Sequence, residues 1–245
     1  MQKRLFFLCA AALLCFACKA SPNAQMLISA GADAYQAATL SDSAVTQLGR
    51  QTALAMDKEN STAPEKNAHS LRLAEIAASL QRVDGLDLNY KIYLTKDVNA
   101  FALPDGSIRV YAGLMDLMTN DEIYFVIGHE IGHVKNGDTK DRFRVAYATS
   151  AARKGVASLG GAAAALSASE LGALGEAMIN ARFSQAQESE ADVYGLRLME
   201  KNRKNTAAAV SALKKLASPG DNSSFLSSHP SPASRAEKIE KLRKK

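Results

Sequence analysis

His129-Glu130-Ile131-Gly132-His133 follows a helix-opening pattern, Thr119-Asn120-Asp121-Glu122, in which Thr119 and Glu122 are spaced to form a capping box. A helix starting there runs to Gly137, a residue suited to a left-handed C-cap. Ile123, Val126, Ile127 and Val134 give that helix an apolar face, so the pentapeptide sits in a buried element. Residues four apart lie on one helix face about one turn apart. Two imidazoles at that spacing converge on one zinc ion, with Glu130 rotated by about 100°. In that place a carboxylate takes a proton from a zinc-activated water and returns it to a leaving amine. With four histidines in 245 residues, the pattern arises by chance on the order of once in some hundreds of such chains.

Catalytic zinc takes three protein ligands and keeps a position open. The three cysteines, Cys9, Cys15 and Cys18, all fall near the N-terminus, so the rest of the chain offers only histidine and carboxylate donors and no disulfide. The remaining histidines are His69, expected at the surface, and His229. Downstream lies Gln187-Glu188-Ser189-Glu190-Ala191-Asp192, in a helix expected from about Ala186 to Lys201. Alone, such a run reads as a solvated helix face; beside a zinc motif lacking its third ligand it reads as the missing donor. Glu188 and Asp192, four apart, share a face, whereas Glu190 points about 200° away from Glu188. Glu188 is therefore the expected ligand, and Asp192 the acceptor of a ligand imidazole's N–H, that of His129. Ala191 and Gly195 are small enough to let this helix come close to the first.

Lys3 and Arg4 followed by apolar Leu5–Ala17 read as a signal segment too short to span a bilayer. Leu14-Cys15-Phe16-Ala17-Cys18 resembles a bacterial lipobox, with Cys15 where leucine is usual. The expected organisation is a signal peptide 1–17, a tether and first helix 18–40 anchored to the membrane by lipid on Cys18, and one domain 41–245. Lys19, not aspartate, follows the cysteine, and the expected location is the bacterial envelope, on the periplasmic face of the outer membrane. The formal net charge of +5, or +3 without Lys3 and Arg4, comes with no basic cluster interleaved with aromatics, which argues against nucleic acid.

Elsewhere the pattern predicts helices over Asp42–Met56 and about Leu71–Val83, a turn at Asp84-Gly85 and a strand Leu88–Leu94. A hairpin joins Ala100–Leu103 to Ile108–Tyr111 through Pro104-Asp105-Gly106, and a helix covers Ala207–Ala217. The Ala/Gly-rich stretch Gly155–Ile179 is interrupted by Ser158, Ser167, Ser169, Glu170 and Glu176, and reads as a close-packed helix or a flap rather than a membrane span.

His129-Glu130-Ile131-Gly132-His133 with Glu188-Ser189-Glu190-Ala191-Asp192 resembles the paired motifs of the HtpX and CAAX prenyl protease family of gluzincins, its lipoprotein members in particular. Asn99-Ala100-Phe101-Ala102, Gly106, Ile108, Gly113-Leu114 and the later His229-Pro230 with Arg235 match that family's other segments, over roughly Leu40–Leu242. The resemblance implies an α+β domain, mainly helical, with a small mixed sheet and one zinc ion per chain. It implies an endopeptidase acting on polypeptides, with Glu130 as general base and His129, His133 and Glu188 as ligands. His229 stabilises the oxyanion, occludes the metal or is a satisfied structural histidine, and Arg235 supports the same site. An edge strand Ile108–Tyr111 would take an extended substrate. The rival readings are an envelope assembly factor with an occluded site and a purely structural zinc protein.

Overall fold

Helix α1 (Asp42–Glu59) begins where Ser41, in extended conformation, accepts the Ala44 N–H on its hydroxyl. The computed structural model describes residues 40–154, 166–218 and 223–244. The signal segment, Cys18 and the tether lie outside the described residues, as does part of the Ala/Gly-rich stretch.

Helix α2 (Ala68–Ile76) ends sooner than its apolar spacing suggests, passing into a 3₁₀ turn at Ala78–Leu80. The cause is the turn that follows. Asp84 and Gly85 take φ of 49° and 82°, pulling strand β1 (Arg82–Val83) into a tight hairpin with β2 (Leu86–Asp87). Residues 82 and 83 therefore pair as strand and cannot remain helical.

Strands β3 (Asn89–Tyr93), β4 (Ala100–Ala102) and β5 (Ser107–Tyr111) form a mixed sheet in the order β3-β5-β4. Tyr90 lies opposite Ile108 in the parallel pair, and Phe101 opposite Arg109 in the antiparallel one. The β4–β5 turn passes through Gly106 at φ +86°, where the Asp87 carbonyl leaves no room for a Cβ. One expectation is corrected here. β5 is flanked on both sides, so Ile108–Tyr111 presents no open edge; beyond β4 no further strand is paired among the described residues. Alternation marks a strand's faces but not its neighbours, and the parallel return of β3 occupies the edge of β5.

The remaining helices are α3 (Ala112–Leu117), α4 (Asn120–Asn136), α5 (Asp138–Lys154), α6 (Ala168–Asn180), α7 (Gln185–Lys201), α8 (Ala207–Ala217), α9 (Ser223–Ser228) and α10 (Pro232–Leu242). The Thr119–Glu122 capping box opens α4, and Gly137 closes it at φ +85°. Every residue of α4 from Glu122 to Val134 is buried. It packs chiefly on α7, and also on α8 and β4.

Ile92, Ile108 and Val110 on one sheet face join the core built around α4. The opposite face carries Tyr93, Phe101 and Leu103 into a second core with α1, α5 and α6. Arg109, on that second face, is buried and forks onto Asp57 of α1, Nε to Oδ1 at 2.8 Å and Nη2 to Oδ2 at 3.0 Å. Tyr93 Oη (2.9 Å) and Lys91 Nζ (2.7 Å) also donate to Asp57. Gly172 and Gly175 of α6 lie against the side chains of Glu59, Met56 and Thr52 of α1, which would have to shift to admit a Cβ. No described helix is long and apolar enough to cross a membrane. The chain is thus α+β, mainly helical, with a small mixed sheet on one side of a central helix.

Candidate metal centre

One turn of α4 separates His129 from His133, and their rings meet edge to face with Nε2 atoms 3.1 Å apart. Small residues then let α7 approach. A Cβ on Gly128 would lie 3.0 Å from Gly195 Cα, one on Gly132 3.0 Å from Ala191 Cα, and one on Gly195 3.1 Å from the His129 nitrogen. This closeness carries the Glu188 carboxylate to the histidines, Oε1 3.3 Å from His133 Nε2 and Oε2 3.8 Å from His129 Nε2. His229, just after α9, places Nδ1 3.2 Å from His129 Nε2 and 3.0 Å from Glu188 Oε1. One donor atom from each of these four buried residues lies within 4.8 Å of the others.

Carboxylates orient both rings from behind. Asp192 Oδ1 is 2.9 Å from His129 Nδ1, and Asp138 Oδ2 is 2.8 Å from His133 Nδ1. A carboxylate accepts, so each Nδ1 carries the hydrogen and each Nε2 turns inward. Two imidazole nitrogens facing at 3.1 Å need positive charge between them, a proton or a metal ion. Burial lowers the proton affinity of His133, yet Asp138 and Glu188 outweigh burial and raise it above its ordinary value. Ligand nitrogens about 2.0–2.1 Å from a tetrahedral zinc stand about 3.3 Å apart, close to the spacing found here. The donor set fits such an ion.

Arg235 of α10 grips Asp192, Nε to Oδ2 and Nη2 to Oδ1, and its Nη1 forms an ion pair with Glu188 Oε2. Burial works against the charge on Asp192, but Arg235 more than offsets it and holds the carboxyl below its ordinary value. Burial likewise opposes ionised Glu188, and His229 and His133 nevertheless keep it strongly acidic. Glu130 differs. Its Oε1 is buried without a hydrogen bond, 3.6 Å from His229 Nε2, and burial pushes the carboxyl above its ordinary value. A buried carboxylate oxygen with no partner is costly to keep, and such groups concentrate where chemistry needs them. Burial pushes His229 down to about 4, so it sits neutral among these groups at neutral pH.

The sequence model of peptidase family M48 matches residues 64–243. The chain belongs to that family. Among M48 relatives, Metalloprotease LoiP of Escherichia coli (strain K12) is 45% identical over 216 residues, 87% of this chain and 86% of LoiP. Metalloprotease YcaL of the same strain is 41% identical over 220 residues, 89% and 87% of the two chains. Protease HtpX of Acinetobacter baumannii (strain AYE) is 38% identical over 81 residues, 31% of this chain and 27% of HtpX. This M48 peptidase is a metalloprotease, and the implied metal has a fitting set of donors in His129, His133, Glu188 and His229.

The residues singled out from the sequence converge: His129, Glu130, His133, Glu188, Asp192, His229 and Arg235 are all buried in one place. Glu190 faces outward and His69, partly exposed, bonds to Asp116 at 2.8 Å. Cys18 lies outside the described residues. Three residues of the M48 site carried no sequence signal that singled them out. Asp138 immediately follows the C-cap Gly137, so the chain reversal returns it to His133; that adjacency was the available clue. Gln187 donates to the other oxygen of Asp138 at 3.0 Å. Phe183 stacks on the His133 ring.

Proposed function

We propose that this M48 peptidase is a zinc-dependent endopeptidase cleaving polypeptides of the bacterial envelope, with His129, His133 and Glu188 as metal ligands and Glu130 as general base. The observation that carries the reading is the pair of inward-facing imidazole nitrogens 3.1 Å apart with Glu188 beside them. When bound, zinc supplies Lewis acidity, polarising a scissile carbonyl and acidifying water. Glu130, with a raised proton affinity and a free oxygen, takes the proton of the attacking water and delivers it to the leaving amine. Asp192 and Asp138 hold the ligand rings, and Arg235 balances the charge of Asp192 and Glu188. Lipidation of Cys18 would tether the domain to the membrane, supported by the lipobox-like sequence ahead of it.

The test is degradation of an unfolded protein such as casein by the purified full chain. Cleavage that stops with chelator and returns with zinc supports the reading; cleavage indifferent to chelator overturns it.

A second reading, an envelope assembly factor with an occluded site, is favoured by one observation. His229 brings the donor group to four, the closed pattern of structural zinc. Asn99 Nδ2 also bonds Ser224 Oγ at 2.9 Å, tying the start of β4 to the helix that precedes His229. If His229→Ala binds zinc and cleaves casein faster than wild type, the site is an enzyme held shut. No cleavage by either protein favours the assembly factor.

A further inference from the structure

His133 is held on two sides by unrelated means. Behind it, Asp138 accepts from Nδ1; across its face lies Phe183, with ring centroids 3.6 Å apart and planes 4° from parallel. Aromatic pairs left to themselves prefer offset or edge-to-face arrangements over a direct overlay. This overlay is therefore imposed, and its source is visible. The Arg142 guanidinium sits 3.8 Å from the Phe183 centroid. Two groups at such distances cannot share one face, so Phe183 is sandwiched between Arg142 and His133.

Arg142 is itself fixed. It is buried, and its Nη2 reaches the carbonyls of Met178, Ile179 (3.2 Å) and Ala181, where α6 ends. These carbonyls lie in the last turn and at the cap of α6, where Met178 O also accepts the Ala181 N–H, and a cation there is favoured by the helix dipole. The Phe183 backbone is tied in turn, its N–H donating to Ser228 O at 3.1 Å. A ring locked at both its backbone and its outer face is a rigid wall for the imidazole.

We infer that Phe183, backed by Arg142, is a positioning residue for His133, setting the plane in which its Nε2 meets the metal. The inference rests on the reading of His133 as a ligand. The bond to Asp138 sets tautomer and direction, but against rotation of the ring about Cβ–Cγ it offers only the soft resistance of one hydrogen bond. The flat wall of Phe183 stiffens the ring against that rotation. An apolar residue that merely fills the core would give the same burial without needing a planar face, and this difference is measurable.

The experiment uses full-length protein, zinc affinity by chelator competition, and the visible absorption spectrum of the cobalt(II)-loaded form, which reports ligand geometry. Phe183→Leu keeps an apolar side chain and loses the plane; Phe183→Tyr restores the ring; Arg142→Met removes the backing cation together with its hold on the carbonyls before Phe183. The expected result is roughly tenfold weaker zinc binding for Phe183→Leu. Its cobalt spectrum is altered, metal-free melting changes little, and Phe183→Tyr returns to wild type. Arg142→Met moves in the same direction by less. Wild-type affinity and spectrum in Phe183→Leu overturn the inference; if that variant does not fold, an unchanged spectrum in Arg142→Met overturns it equally. His133→Ala separates the two ideas. Should it bind zinc like wild type, the ligand reading fails and the inference with it; should it lose zinc while Phe183→Leu does not, the positioning role alone fails.

Discussion

Arg235 meets Asp192 side-on, Nη2 to Oδ1 at 2.6 Å and Nε to Oδ2 at 2.7 Å, and Asp192 relays that constraint to His129 through a 2.9 Å bond. Lysine preserves the charge but cannot supply the planar fork. Arg235→Lys is expected to bind zinc 10–100-fold more weakly. Arg235→Met should in addition lose about 3–5 kcal/mol of stability, because Asp192 and Glu188 stay buried without their cationic partner. Chelator competition and urea denaturation measure the two effects. Equal zinc affinity in both variants and wild type would show that Arg235 does not act on the site.

Glu130→Gln removes a base and no proposed ligand. It is expected to bind zinc normally and to lose 10²–10⁴-fold in casein cleavage. Activity within about tenfold of wild type would reassign the base.

Glu188 is buried within the donor group and Glu190 is exposed two residues on. Glu188→Ala should lose bound zinc and all cleavage, and Glu190→Ala should keep both. Metal content after dialysis decides between them.

An exposed mid-helix glycine replaced by alanine usually gains about 0.5–1 kcal/mol. Gly195→Ala is expected to do the opposite. Its Cβ would sit 3.1 Å from the His129 nitrogen and 3.2 Å from the Phe125 carbonyl oxygen, forcing α7 off α4 at a cost of roughly 1–3 kcal/mol. Weaker zinc binding should accompany the lower melting temperature, since Glu188 moves with the helix.

At Asp57, burial raises the carboxyl's proton affinity, but Arg109 and then Lys91 outweigh burial and hold it below its ordinary value of 3.8. A depressed folded-state pKa stabilises the protein above the unfolded value, and that contribution disappears as pH falls through the folded one. The melting temperature of metal-free wild type should thus fall between about pH 5 and pH 2 more steeply than that of Asp57→Asn. The variant itself should be less stable at pH 7 because Arg109 is left buried without its partner. Parallel acid limbs for the two proteins would refute the assignment.

What was legible in the sequence was whatever is written locally. The capping box at Thr119, Gly137 at the far end and the four-residue spacings of His129/His133 and Glu188/Asp192 are properties of one helix each, and they appear in the structure as expected. The small residues Ala191 and Gly195 also told how near the second helix comes, because a missing Cβ has one geometric meaning wherever helices cross. The sheet order was not legible. Ile108 and Val110 alternate identically whether their strand is central or at an edge, and only the return of β3 decides. Asp138 and Phe183 were missed for a related reason. Each reaches His133 through a change of chain direction, Asp138 after the Gly137 reversal and Phe183 after the end of α6, and no periodicity survives such a break.

The site is also ordered in time. His129 and His229 are separated by 100 residues, with Glu188 between them and Arg235 beyond both. A chain made from its N-terminus acquires its signature helix early, its carboxylate donor later, and the arginine that compensates Asp192 almost last. Until α10 docks, Asp192 lacks the guanidinium that offsets its buried charge, and the His129 ring lacks the support that Asp192 relays to it.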